Sequence, residues 1–293
     1  MGQHHGLIGD RAPFERYLER SNSGTPSIPW YPRTPRLSVE VVNFFLGGPM
    51  DVPSEALAAL RRATDRSKRV SSVNFPITYV RRGDATPTAA WLVQSHELRL
   101  KMHMTLVMQA AKAPFTLPDR PTQSLARWLN LPPDTGPRRA NDAKKWLREK
   151  KLIAPALLPD GKAGLLLLHP DGSGSDWEGN GARWVGVPFA LWENAWIIRL
   201  SGRAIVVLMA LLELNGGSKY PDGEWMDGHR KKQYGLSDDA WTSATRELEH
   251  FGLLRTTDGY WGDDDYEVRK RKRYFLIREA LDTAPDWSMP DPP

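Results

Sequence analysis

The chain has 293 residues, enough for two domains with separate hydrophobic cores. It contains no cysteine, which excludes disulfides and thiolate metal sites and agrees with a reducing compartment. The net charge of +5 permits an anionic partner without requiring one, and neither a signal-peptide core nor an apolar run long enough for a bilayer is present. The composition therefore predicts a cytoplasmic protein with no membrane partner.

The N-terminal part differs in composition from the rest. Residues 1–36 are rich in Pro, Gly, Ser and charge, which predicts a flexible segment. Residues 37–93 are predicted to form an extension with a strand over Leu37–Phe45 and a helix over Pro53–Arg69. The basic end of that helix, Arg61–Arg69, is interpreted as a solvated helix end, with a phosphate-contacting arm as the alternative.

Residues 94–170 are predicted to form the first domain. Helical spacing predicts helices over Glu97–Lys112, Pro121–Leu131 and Pro137–Lys151. Two apolar runs around the turn Pro159–Gly161 then predict a β-hairpin. Three helices followed by a hairpin are typical of a winged helix-turn-helix, in which the third helix enters the DNA major groove.

The third helix of this domain has two different faces. Ala140, Ala143 and Leu147 share the core-facing side, while residues 138–151 hold seven Lys and Arg against two acids. Arg can pair with guanine and Asn with adenine in the major groove, and other bases hold phosphates. A solvated basic helix is the alternative, and DNA contact is favoured. The predicted contacts are Arg138, Arg139, Asn141, Lys144, Lys145, Arg148 and Lys151.

A run of small polar residues, Asp171–Gly181, predicts a linker over residues 171–183. The second domain is then predicted over residues 184–281. It begins with a strand, Trp184–Pro188, and a buried helix, Gly202–Leu214. Trp192 and Trp196 are predicted to pack on that helix because they stand among apolar neighbours.

The second domain repeats the first. Four apolar positions of the first domain return at a constant offset: Ala143, Leu147, Leu152 and Ile153 align with Ala244, Leu248, Leu253 and Leu254. An internal repeat at this scale is stronger evidence for a fold than one copy alone. The final residues, 282–293, are acidic and rich in Pro, and they are predicted to be a disordered tail.

The second copy departs from the first in charge. Its third helix, Asp238–Phe251, has four acids (Asp238, Asp239, Glu247 and Glu249) and Arg246 as its base, and acids repel phosphate. One interpretation is DNA contact by the second domain. The other, which is favoured, is a homodimer or partner interface whose basic wing touches only the DNA backbone. The candidate contacts are Arg230, Lys231, Lys232, Arg246, Arg269, Arg271 and Arg273.

Motifs of enzymes and metal sites are missing from the sequence. It has no GxSxG, no HExxH, no phosphate-binding loop and no cysteine nucleophile. The acidic run Asp263–Asp265 is interpreted as a solvated hairpin tip. We therefore predict a protein without catalytic residues, metal or cofactor.

The repeated helix–turn–helix–hairpin pattern resembles proteins with tandem winged-helix domains, a group that includes plasmid replication initiators and bacterial transcription regulators. The segments Tyr79–Asp84 (YVRRGD) and Leu98–Leu106 (LRLKMHMTL) also resemble segments of actinobacterial proteins, and the whole resemblance covers roughly Val73–Ala280. It implies an α+β fold, mainly α, with two tandem winged-helix domains and an N-terminal extension.

The function expected from this fold is non-enzymatic, nucleoid-associated binding of double-stranded DNA, as a regulator of transcription or of a mobile element. A plasmid-type replication initiator and a winged-helix protein–protein adaptor are the alternatives.

Overall fold

The computed structural model describes residues 54–67, 71–83, 85–179, 181, 183–215, 223–261 and 269–290. From Met50 to Pro293 the chain forms one compact α+β unit. The predictions for residues 1–36, for a strand over Leu37–Phe45 and for the hairpin tip at Asp263–Asp265 lie outside the described residues.

The described helices run in chain order as follows: α1 Ser54–Ser67, α2 Ile77–Val80, α3 Thr88–Ser95, α4 Glu97–Gln109, α5 Thr122–Trp128, α6 Gly136–Glu149, α7 Ala190–Glu193, α8 Trp196–Arg199, α9 Gly202–Asn215, α10 Gly228–Gln233 and α11 Asp238–His250, with a final 3-10 helix over Arg278–Asp282. The described strands are β1 Ser72–Pro76, β2 Thr116–Pro118, β3 Ile153–Leu157, β4 Ala163–Leu167, β5 Trp184–Pro188, β6 Glu224–Trp225, β7 Leu254–Trp261 and β8 Arg269–Leu276.

Two segments of the unit have the same order of elements: helix, strand, helix, helix and β-hairpin. The first runs from α4 through β2, α5 and α6 to β3 and β4, and the second from α9 through β6, α10 and α11 to β7 and β8. Each forms a three-stranded antiparallel sheet in which the last strand lies in the centre, in the orders β2-β4-β3 and β6-β8-β7. We call them the first and the second segment.

The repeat extends to individual residues. All eight apolar residues at the constant offset are buried. The backbone after the third helix also matches, because Leu152 N donates to Leu147 O over 3.0 Å and Leu253 N donates to Leu248 O over 2.9 Å. The residue that ends each helix has a left-handed backbone, with φ of 55° at Lys151 and 69° at Gly252. This is the usual way to satisfy the last carbonyl groups of a helix.

The core continues between the two segments. Helix α9 is apolar on every side, so residues 204–212 are all buried, and it packs against α4 and α11. Trp192 and Trp196 are buried as predicted. The predicted strand β5 has its predicted bounds, but it pairs with β1 of the N-terminal extension, with Asn74 opposite Gly186. The described part of the extension, from Ser54 onwards, therefore belongs to the same compact unit.

Two stretches predicted as a linker and a disordered tail make defined packing contacts, although they contain little regular secondary structure. Within the predicted linker, Trp177 is buried and its ring stacks on Phe115 with 4.6 Å between centroids. Within the predicted disordered tail, residues 282–290 lie against α8. There, Trp196 Nε1 donates to the carbonyl of Thr283 over 2.8 Å, and Arg199 Nη2 donates to that of Met289 over 2.5 Å. Bulky rings and side-chain donors hold both stretches despite their polar composition.

Candidate nucleic-acid interface

Helix α6 is fixed by an apolar face and a proline start. Pro137 lies in its first turn, where the missing N–H costs nothing. Ala140, Ala143 and Leu147 are buried against α4 and α5, as predicted from their spacing. The opposite face is therefore held towards solvent by a rigid element.

The solvent-facing side of α6 carries alternating charges. The side chains of Arg138 and Lys145 are 88% and 74% exposed. Each lies 4.0 Å from an acid one turn later, Asp142 and Glu149 respectively. Exposed pairs of this kind stabilise a protein by only about 0–1 kcal/mol, so an incoming phosphate or base can replace the acid. Asn141 is exposed on the same helix.

Lys144 and Arg148 face a different way from these residues. Their side chains both reach Asp119, which precedes α5, and Arg148 Nη2 lies 3.4 Å from its Oδ2. The Lys144 side chain is 9% exposed, so its prediction as a DNA contact is wrong: the ammonium group closes an internal ion pair. Arg148 is 39% exposed and remains accessible at its outer edge.

The last two predicted contacts of the first segment lie at its margins. Arg139 is exposed and lines a groove of about 520 Å³ that also includes Glu247 and Trp287. Lys151 is exposed, but its stem covers Gly174, where an added Cβ would lie 2.9 Å from Lys151 Cδ. Neither side chain makes an ion pair with a described residue.

The acids of α11 have structural partners that the sequence did not indicate. Glu247 is buried and accepts hydrogen bonds from the Ser201 backbone N–H and hydroxyl, over 2.6 and 2.5 Å, at the start of α9. Glu249 accepts from the Thr256 hydroxyl over 2.5 Å. Two of the four acids of this helix therefore stabilise neighbouring elements.

The remaining side chains of α11 leave one exposed base. Asp238 binds Lys231, and Asp239 is exposed. Arg246 is exposed and has no ion pair within the described part of the chain. Arg246 is therefore the single Lys or Arg side chain that α11 exposes.

The basic residues around Trp225 are already engaged. The guanidinium groups of Arg230 and Arg271 lie 4.9 and 4.3 Å from the centroid of its ring, as cation–π contacts. Arg230 also donates to the Trp225 carbonyl over 3.0 Å, and Lys231 Nζ lies 2.7 Å from Asp238. These predicted DNA contacts therefore hold the second segment together, although their outer edges are partly exposed.

The other predicted bases of the second segment differ in accessibility. Lys232 is exposed at the end of α10. The Arg273 side chain lies across Gly259 of β7, where an added Cβ would be 2.9 Å from its Nε. Arg269 begins β8, but its side chain lies outside the described part of the structure. The second segment thus offers fewer free bases than the sequence predicts.

One group of basic residues was not predicted as a site. Arg62 and Arg66 at the end of α1 line a cavity of about 150 Å³ together with Arg120 and Arg127 around α5. The sequence showed the basic end of α1, but nothing local to it indicated that it would meet α5.

Arg81 has a structural role. Its Nη2 lies 3.0 Å from Glu213 Oε1, and the Tyr234 hydroxyl donates to Glu213 Oε2 over 2.6 Å. Burial, and then the bond to Glu213, raise the pKa of Tyr234 well above its ordinary value. This network joins α2, α9 and the end of α10.

The chain matches no protein-family model, no curated protein and no solved structure. Within the described residues, no helix has both the length and the apolar character of a membrane span, and no group of three or more His, Asp or Glu side chains is placed to hold a metal ion.

Proposed function

We propose that the first and second segments are winged-helix domains and that the protein binds double-stranded DNA, with α6 in the major groove. The proposal rests on one observation: the third helix of the first segment presents Arg138, Asn141 and Lys145 to solvent from a rigid, buried face. The order of elements and the central position of the last strand in each sheet support the winged-helix assignment.

The roles of the α6 side chains follow from their directions. Arg138, Asn141 and Lys145 are suited to base edges, because they stand on the outward side. Arg139, Arg148 and Lys151 lie at the sides of the helix and are suited to phosphates, which position a protein without reading sequence. Lys144 has no place in the interface.

The second segment is proposed to support binding rather than to read bases. Its third helix offers Arg246 as an exposed base, and the guanidinium groups around Trp225 are held by the ring. It is suited to a homodimer or partner interface, with Lys232 as a backbone contact. The biological role proposed is a regulator of transcription or of a mobile element, with a plasmid-type replication initiator as the near alternative.

Fluorescence anisotropy on random and gene-flanking duplexes, at several salt concentrations, tests the proposal. Wild-type protein is expected to bind with a log–log salt slope of about −0.9 for each phosphate neutralised. The variant Arg138→Ala/Asn141→Ala/Lys145→Ala is expected to bind at least about 10- to 100-fold more weakly, since even one good base contact contributes about 1–3 kcal/mol. The matched control, Arg246→Ala, removes an exposed base at the Lys145 position of the repeat and should change affinity less than threefold or so.

One observation favours a second candidate, a protein–protein adaptor. The acids Asp142 and Glu149 lie on the same outward side of α6 as its bases, and mixed charges suit a protein partner. Under this alternative the wild-type protein would show no duplex binding even at low salt. That result would refute the DNA proposal. Preference for repeated sites at an origin, rather than for a single operator, would favour the initiator over the regulator.

A further inference from the structure

Four arginines from distant parts of the chain line one small cavity. Arg62 and Arg66 come from the last two turns of α1, Arg120 precedes α5, and Arg127 lies in its last turn. Ala59, Ser124 and Trp128 complete the lining. We call this the arginine cavity.

No acidic side chain among the described residues pairs with the arginines of the arginine cavity. In the described part of the chain, the side chains of its four arginines form no ion pair and no hydrogen bond. Basic groups elsewhere do find acids: Arg81 lies 3.0 Å from Glu213, and Lys231 lies 2.7 Å from Asp238. The four like charges repel one another, so an arrangement that gathers them favours an anion.

Apolar packing holds the arginines together against this repulsion. On α1, Ala56, Ala59 and Ala63 are buried, and their small size lets the helix pack closely on α5. Trp128 is buried and provides an apolar floor to the cavity. The side-chain amide of Gln109 donates to the Ala63 carbonyl over 2.5 Å and ties α1 to α4. The core therefore sets the backbone positions from which the arginines extend.

We infer that the arginine cavity binds a single phosphate group. Guanidinium groups match phosphate oxygens with paired N–H donors, and the Ser124 hydroxyl adds a further donor. The volume of about 150 Å³ is below the roughly 300–1,000 Å³ of pockets that enclose drug-sized ligands, so one oxyanion and some water fit and a whole nucleotide does not.

The position of the cavity points to a backbone phosphate of DNA, which rests on the proposed function. Arg120 directly follows Asp119, and the Asp119 carboxylate contacts Lys144 and Arg148 in the second half of α6. The arginine cavity is thus adjacent to the helix proposed to enter the groove. The other source of the same chemistry is a free phosphorylated small molecule, whose phosphate enters the cavity while the rest stays outside.

The test compares two double variants of the full chain. Arg120→Gln/Arg127→Gln removes two charges from the arginine cavity. Lys112→Gln/Arg203→Gln, the control, removes two from exposed positions that line neither the cavity nor α6. Pyrophosphate binding is measured by calorimetry at constant ionic strength, and the salt slope of duplex binding by anisotropy. Circular dichroism and urea unfolding check that each variant folds.

Pyrophosphate binding is expected to weaken about tenfold or more in the cavity variant. It should stay unchanged in the control. In the cavity variant, the salt slope of duplex binding should also become shallower by about 0.9, with no change in base preference. A third variant, Arg120→Lys/Arg127→Lys, should keep the slope but bind pyrophosphate less tightly, because lysine lacks the paired donors. This variant also answers the objection that the glutamine variant is misfolded.

Each outcome decides between the two sources or overturns the inference. Suppose that the cavity variant loses pyrophosphate binding. If the wild-type protein does not bind DNA, or if the variant keeps the wild-type salt slope of DNA binding, the cavity is assigned to a free phosphorylated molecule. In the first of these cases the proposed function fails while the arginine cavity stands. Unchanged pyrophosphate binding and an unchanged slope in the cavity variant would overturn the inference, even if α6 variants abolish DNA binding.

Discussion

We expect His103 to make the stability of this protein sensitive to mild acid. It lies in α4 with its side chain fully buried, and its Nδ1 is 3.0 Å from the Tyr79 hydroxyl. Its Nε2 has no partner among the described residues. Burial lowers the pKa of His103 from its ordinary 6.5 to about 3. The imidazole therefore stays neutral in the folded protein over the range in which the unfolded chain becomes protonated.

The sign and size of the effect follow from proton linkage. Below pH 6.5 the unfolded state binds a proton that the folded state excludes, so stability falls as the pH falls towards 3. Each pH unit in this window corresponds to about 1.4 kcal/mol, so about 2 kcal/mol is lost between pH 6.5 and 5. Domains of this kind have a total stability of roughly 5–15 kcal/mol, which makes the loss measurable.

Urea unfolding at pH 7.5 and 5 tests this reasoning on wild type, His103→Gln and His229→Gln. The glutamine amide can still accept a bond from Tyr79, so the variant removes the titration with little loss of hydrogen bonding. The stability of His103→Gln should fall by about 2 kcal/mol less than that of wild type between the two pH values. His229 is exposed, and its variant should behave like wild type. Equal pH dependence of wild type and His103→Gln would refute the account.

Two further predictions concern α6 and its counterpart. Lys151 and Gly252 both have a left-handed backbone, and an added Cβ at Gly252 would meet no atom within 4 Å. Because glycine adopts this conformation without strain, Lys151→Gly should stabilise the fold and Gly252→Lys should destabilise it. Each change in the free energy of unfolding should be about 1 kcal/mol in urea. Shifts of the same sign would contradict this. Lys144→Met should destabilise the fold by about 1–3 kcal/mol by leaving Asp119 poorly paired, and Asp119→Asn should recover part of the loss in a double-mutant cycle. A fully stable Lys144→Met with weakened DNA binding would instead restore Lys144 as a contact.

The local part of the fold was predictable from the sequence. The spacing of Ala140, Ala143 and Leu147 defined the buried face of α6, because helical periodicity depends only on neighbours within two turns. The constant offset to Ala244 and Leu248 predicted a second helix in the same environment. The bounds of β5 were also correct, but its partner β1 was not foreseen, because strand pairing over more than a hundred residues leaves no local pattern.

The candidate site was less predictable because a sequence does not show which way a charged side chain points. Lys144 and Lys145 are neighbours and both basic, yet one is buried against Asp119 and the other is 74% exposed. A helical wheel shows which of the two lysines is buried only if the position of α5 is known. The arginine cavity was unpredictable for the same reason, because Arg62 and Arg120 line it together only through the packing of α1 on α5.

The two segments use equivalent positions for different purposes. At the position of Trp146 in α6, helix α11 has Glu247, which binds the start of α9; at the position of Arg148 it has Glu249, which binds Thr256. These contacts tie α11 to its neighbours, whereas α6 keeps its outward bases free of strong partners. Duplication of one unit followed by this divergence would leave a single helix available to an external ligand. If the protein reads DNA through one segment, the first segment is therefore favoured. The outward side chains of its helix α6 can move towards DNA without breaking contacts that hold the core.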